Sequence, residues 1–193
     1  TAPTDIINAI NLQIGIRSTN VYPFNGSIDD VQIYNRALTT DEITAQYNLG
    51  RGKYANTGNG LVAQYSGRDF AGTEATPTTI YDTNHLVNGK INEGVGFDGV
   101  NDYITHNRGL SNNSEEGTFM LWVKAYSTPS ATAWVYGARY TASITYSSSG
   151  KFGGAVGNNS CGSSLGCSGY NLPNTRINEW THIAVSYKNG EDT

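Results

Sequence analysis

Residues 24–38, reading FNGSIDDVQIYNRAL, limit the fold more than any other stretch of the chain. A turn containing Gly26 precedes two adjacent acids, Asp29 and Asp30. An alternating run follows, with Val31 and Ile33 on one face and Gln32 and Tyr34 on the other. That is the pattern of a half-buried strand. Thr39-Thr40-Asp41-Glu42 then has capping-box spacing: a threonine hydroxyl can accept from the third helical amide while Glu42 reaches back. A short helix is expected to run toward Tyr47, with Gly50 beyond its end.

Further strands follow from the same periodicity. Ile10, Leu12, Ile14 and Ile16 alternate with polar residues or glycine between Asn8 and Arg17, which predicts a strand with one buried face. Residues 47–60, YNLGRGKYANTGNG, are rich in glycine and asparagine and read as a linker. Beyond it, Leu61–Tyr65 is a strand. Residues 67–92 are polar and loop-like. Residues 94–104, GVGFDGVNDYI, read as strand, tight Asp-Gly turn and strand. Gly117–Ala125 is apolar on both faces, as a central strand must be. Ala133–Tyr140 and Ser143–Tyr146 are two more strands, with Ser147–Gly150 as a turn before Lys151-Phe152. In Glu179–Tyr187, EWTHIAVSY, residues Ile183, Val185 and Tyr187 share a face.

The chain of 193 residues is long enough for one all-β sandwich. Its net charge is −4, from 12 basic and 16 acidic residues, and no basic block is present to neutralise phosphates or an anionic membrane. Nucleic acid and membrane insertion are therefore not expected. Charged residues make up 15% while tyrosine occurs 13 times, a composition that suits short strands and turn-rich loops in secreted adhesive or sugar-binding modules. Thr1-Ala2-Pro3 is not a signal peptide and no stretch has the length of a membrane span. Cys161 and Cys167 lie in a flexible loop and are expected to form a local disulfide in an oxidising compartment, the alternative being two free thiols. So short a bridge would contribute at most ~2–3 kcal/mol.

Three phrases, GLVAQY from Gly60, GFDGVNDYI from Gly96 and EWTHIAVSY from Glu179, together with the strand-and-helix stretch 24–47, resemble the bacterial laminin G-like, concanavalin A-like jelly-roll modules. The resemblance implies an all-β, two-sheet antiparallel jelly-roll sandwich with one short helix. In that family the IDDVQIY strand and tail helix close the domain, whereas here they stand first. The expected organisation is residues 1–50 as closing strands and tail helix, 51–60 as linker, and 61–193 as opening and central strands. A strand and an Asn-Gly turn that normally follow a phrase such as YKNGED are found at neither end. Either the chain is one register of a tandem array, or its two parts fold together and a neighbouring copy supplies the strand by edge addition. A boundary chosen for convenience is the plainer explanation. Exposed sheet edges invite pairing, so neighbouring copies of the chain are the expected partners.

For chemistry, glycoside cleavage needs two flanking carboxylates, and no E-x-D-x-x-E pattern occurs. Glu115 and Glu116 are adjacent and would point to opposite faces of a strand. Residues 162–166, GSSLG, match G-x-S-x-G but lack the strand and helix that a nucleophile elbow requires. His85, His106 and His182 have no metal-type spacing. The resemblance implies a structural calcium where opening and closing strands meet, with Asp29, Asp30, Asp69, Asp98, Asn101 and Asp102 as candidate ligands; the alternative for Asp98 and Asp102 is Asx-type turn bonding. Trp134, Tyr136, Tyr140, Tyr146 and Tyr170 are candidates for stacking on sugar, the alternative for at least half of them being ordinary core or sheet-surface positions, while Trp122 and Trp180 are expected in the core. Asn25, Asn112 and Asn158 begin N-x-S/T triplets that could accept glycans.

The functional expectation is a non-catalytic module, secreted or at the cell surface, that acts in adhesion or as the repeating unit of a filament or fibre. The alternative is a carbohydrate-binding module of a secreted polysaccharide-degrading enzyme, with polysaccharide or glycoprotein as partner. A hydrolase is the third and weakest reading.

Overall fold

The computed structural model describes residues 12–16, 21–49, 60–65, 79–81, 86–91, 93–106, 116–138, 142–156, 168–172 and 175–188. The chain forms β1 (Leu12–Ile14), β2 (Asn25–Tyr34), α1 (Thr40–Leu49), β3 (Leu61–Tyr65), β4 (Thr79–Tyr81), β5 (Leu86–Asn88) and β6 (Glu93–Asp98). It continues with β7 (Tyr103–His106), β8 (Glu116–Ala125), β9 (Ala133–Ala138), β10 (Ala142–Tyr146), β11 (Phe152–Val156), β12 (Ser168–Asn171) and β13 (Thr181–Lys188). All pairings are antiparallel. A seven-stranded sheet runs β12-β11-β10-β9-β1-β7-β4. It faces a six-stranded sheet, β13-β8-β2-β6-β5, with β3 also beside β2. This is a jelly-roll sandwich.

Alternation decides what lies between the sheets. Ile28, Val31 and Ile33 of β2, Phe119, Leu121 and Val123 of β8, and Ile183 of β13 meet Ile104, Val135, Tyr136, Ile144, Tyr146 and Phe152 of the other sheet in one buried cluster. Phe119 and Tyr136 stack across the gap with ring centroids 4.9 Å apart. Gly154 of β11 faces Val185 so closely that a Cβ there would lie 2.7 Å from a Val185 methyl.

The early strands sit among the late ones. β1 pairs with both β7 and β9, and β2 lies between β8 on one edge and β6 and β3 on the other. Two departures from the sequence reading stand out. The phrase at 94–104 is not a hairpin, because β6 belongs to the six-stranded sheet and β7 to the other. Gly99 (φ +81°) and the Asp98 and Asp102 carboxylates shape the crossover: Val100 N–H donates to Asp98 Oδ1 and Asp98 N–H to Asp102 Oδ2. The stretch 67–92, read as loop, contains β4 and β5. Each is three residues long, too short for periodicity to register.

Candidate functional site

The paired acids make the joint on which the six-stranded sheet turns. Asp29 pairs with Trp122 and Gln32 with Met120, so β2 carries one more residue than β8 over this interval. This is a β-bulge, and Asp30 takes φ +48° within it. The extra residue keeps Ile28 and Val31 on the same face, where strict alternation would have opposed them. It also falls where β6 stops pairing with β2 and β3 starts.

Asp29 is 1% exposed. Its Oδ1 accepts from the Asp30 amide at 2.8 Å, and its Oδ2 accepts from the amides of Lys90 at 2.8 Å and Ile91 at 2.9 Å. Asp29 thereby ties the β5–β6 turn to the sheet. Asp30 accepts from Gln64 Nε2 through Oδ1 and from Gln32 Nε2 through Oδ2, each at 2.8 Å, and Tyr34 OH donates to Gln32 Oε1. Burial raises the Asp30 pKa; the two amide donors oppose this, and the neighbouring Asp29 charge adds to it.

The described calcium candidates therefore do not gather at one cation site. Asp29 and Asp30 satisfy protein donors at the bulge. Asp98 lies opposite Asn25, four residues back along β2, where it and Asp102 bond turn amides; Asn101 is exposed in the same turn. Among the described residues no three Asp, Glu, His or Cys side chains converge as a metal site. Asp69 lies outside the described residues.

The sugar-stacking candidates need correction as well. Tyr136 and Tyr146 are each 1% exposed and belong to the inter-sheet core. There Tyr146 packs against Phe152 and Phe24, and burial drives the Tyr136 phenol far above its usual range. Trp134 is 6% exposed, so it offers a sugar no open ring face. Tyr140 and the Tyr170 side chain lie outside the described residues, as do Cys161, Cys167, Asn112, Asn158, Glu115, His85 and the 162–166 motif. Asn25 begins β2 and donates through Nδ2 to Ser127 Oγ.

The accessible aromatic surface lies on the outer face of the six-stranded sheet, where α1 covers only part of it. The helix is held by the predicted capping box: Glu42 N–H donates to Thr39 Oγ1 at 3.3 Å and Thr39 N–H to Glu42 Oε2 at 2.9 Å. Arg36 donates to both Glu42 oxygens, at 2.9 and 2.6 Å. Arg36 and then Thr39 hold the Glu42 pKa down at about 2. Leu38 and Ile43 pack on Met120 and Tyr34. At the helix end Tyr47, 45% exposed, stacks on Trp122 at 5.3 Å and 27°. His182 meets both rings, at 5.7 and 5.0 Å, and burial lowers its pKa to about 4.

Past Tyr47, Trp122 remains buried at 4% exposure, while Lys90, Lys124, Tyr126 and Trp180 reach solvent. Because Leu121, Val123 and Ala125 point into the core, Trp122 and Lys124 point outward. Lys90 Nζ lies 5.0 Å from the Trp122 ring centre. Lys124 Nζ lies 5.5 Å from the Tyr126 ring and 5.1 Å from the Trp180 ring. The Tyr126 hydroxyl in turn bonds Ser27 Oγ. Trp180, expected in the core, is only half-buried and stands just before β13. Trp122, expected in the core, is indeed buried, on the outer face beneath Tyr47 and Lys90; the strip was missed because Trp180 was read by its apolar neighbours. The parity of 119, 121 and 123 against 122 and 124 was the signal available.

The two packed antiparallel sheets, with one short helix on the outer face, make a two-sheet β-sandwich of jelly-roll type. Residues 1–44 match the laminin G type model of the concanavalin A-like lectin/glucanases superfamily, a stretch that carries β1, β2 and the start of α1. Comparison with curated proteins and with solved structures found no match.

Proposed function

We propose that this chain is a non-catalytic extracellular module, acting in adhesion or as the repeating unit of a cell-surface filament, that joins copies by strand addition. The observation that carries the reading is β13. Eight consecutive residues, Thr181 to Lys188, pair in unbroken register with β8, and β13 ends its sheet among the described strands. The strand has no proline, no bulge and one charge, so it lacks the devices that blunt an edge. In an antiparallel pair, alternate residues direct their N–H and C=O groups away from the partner, and a strand from a second copy would satisfy them. Several of the described acids have structural uses: Asp29, Asp30, Asp98 and Asp102 bond amides, Glu42 caps a helix, Glu116 lies opposite Lys188 and Glu179 pairs with Arg176. Sedimentation from micromolar to hundreds of micromolar protein tests the proposal. Self-association is expected, and it should be lost in Ala184→Pro or Val185→Pro, whichever removes an outward N–H. A monomer across the whole range would refute the strand-addition reading. A carbohydrate-binding module is the second reading, favoured by the open aromatic strip around Trp180 and Tyr126.

No helix of the described residues is long and apolar enough to cross a membrane.

A further inference from the structure

We infer that the open strip on the outer face of the six-stranded sheet binds an acidic glycan through the carboxylate of a uronic acid residue, with Lys124 and Lys90 as the cationic contacts. The inference rests on the second reading above and sharpens it to a ligand class.

Each ammonium lies on aromatic rings, Lys124 between Tyr126 and Trp180 and Lys90 over Trp122, and neither is paired with a carboxylate among the described residues. A cation held over rings keeps its charge while shedding part of its water, which strengthens any hydrogen bond to an incoming anion. The nearest acid on this face, Asp29, is buried and already accepts three amides. Negative charge arriving at the strip therefore meets two cations; the other acids nearby are engaged elsewhere, Glu116 at the far end of β8 opposite Lys188 and Glu179 with Arg176.

The ring surface supplies the second half of the recognition. Tyr126 is 38% exposed and Trp180 half-buried, so each shows part of its ring to solvent where a sugar C–H face can lie. Both are fixed in place: Tyr126 by its hydroxyl on Ser27 and its amide on the Asn25 carbonyl, and the Trp180 turn by Asn178 N–H on the Ala125 carbonyl. The Lys90 backbone is held by its amide on Asp29. Rings seated on a preformed sheet keep the ordering cost of binding low. The rings open to a sugar are Tyr126 and Trp180, both beside Lys124; Trp122, 4% exposed, lies closed under Tyr47 and serves only to seat Lys90 as the second cation.

The test is titration calorimetry of the full chain with oligogalacturonate, its fully methyl-esterified form and dextran sulfate. The esterified sugar removes the negative charge and keeps the ring; dextran sulfate keeps charge and loses the carboxylate. Oligogalacturonate is expected to bind, and to weaken about tenfold or more in Lys124→Gln. Lys124→Arg should restore binding, and Trp180→Ala should weaken it. Unchanged unfolding midpoints would establish that the Lys124 variants fold. Binding of the esterified form alone would overturn the acidic assignment while leaving a carbohydrate module standing. No binding of any glycan would overturn both. Equal binding of dextran sulfate, or indifference to Lys124→Gln, would overturn the uronate site.

Discussion

Asp29→Ala should be among the most damaging single substitutions in this domain, although it removes only a carboxylate. The side chain is buried and accepts three amides, two of them 61 and 62 residues away on the β5–β6 turn. A hydrogen bond to a charged group contributes about 1.5–3 kcal/mol. The Asp30 amide is adjacent in sequence and within the bulge, so only the Lys90 and Ile91 bonds are counted. Their loss predicts about 3–6 kcal/mol, the lower end applying if water enters the vacated space and meets one amide. Domains of this size have only about 5–15 kcal/mol in total. Urea unfolding followed by tryptophan fluorescence at pH 7 measures the change. Asp98→Ala is the control, since its Oδ1 bonds one amide in an exposed turn and its loss should cost about 1 kcal/mol. If Asp29→Ala lowered the midpoint no more than Asp98→Ala, with equal slopes, Asp29 would not be the joint described here. The same variant should release Lys90 from its fixed place over Trp122.

Acidification should weaken the fold through His182. Its pKa is about 4 in the fold, against 6.5 in the unfolded chain, so between those values the unfolded state takes up the proton first. Stability present above pH 6.5 is lost progressively down to pH 4, by on the order of 2–3 kcal/mol; His182→Gln should flatten the free energy of unfolding measured across that window. Tyr47→Ala removes a ring that covers Trp122 and His182, should cost about 1–2 kcal/mol, and should shift Trp122 emission to the red; an unmoved spectrum would contradict the stacking. Glu42→Ala takes away the reciprocal cap and the Arg36 bridge, for about 1 kcal/mol. Because the Glu42 pKa is lowered in the fold, that contribution should vanish in the native protein as pH falls from 4.5 toward 2, so the two proteins' unfolding midpoints should converge there.

What could be read from the sequence was local and periodic. The capping box at Thr39 and Glu42, the faces of β2 and the inward set Ile183, Val185 and Tyr187 each depend on residues within a few positions of one another, and each matches the structure. The bulge at Asp29 and Asp30 was hidden because its signal is a change of parity between Ile28 and Val31, which needs β8 alongside to interpret. Tyr136 and Tyr146 were misplaced for a related reason: an aromatic in a strand says nothing about which face it takes until the opposing sheet is known. The Lys124 clamp joins the end of one strand to residues on two loops, and no spacing rule covers that.

The central position of β2 also bears on how the protein is made. Ile28 finds its partner Val123 only 95 residues later, which at about 5–20 residues per second is about 5–20 s of translation. Through that interval a strand with an apolar face has been synthesised while the strand on its β8 side has not. Sheets assembled from such distant segments form slowly, so the nascent chain carries a sheet centre open on its β8 side until its second half emerges. A holding chaperone that covers residues 24–34 would shield the β8 side of this strand through that interval, and the yield in expression should depend on one.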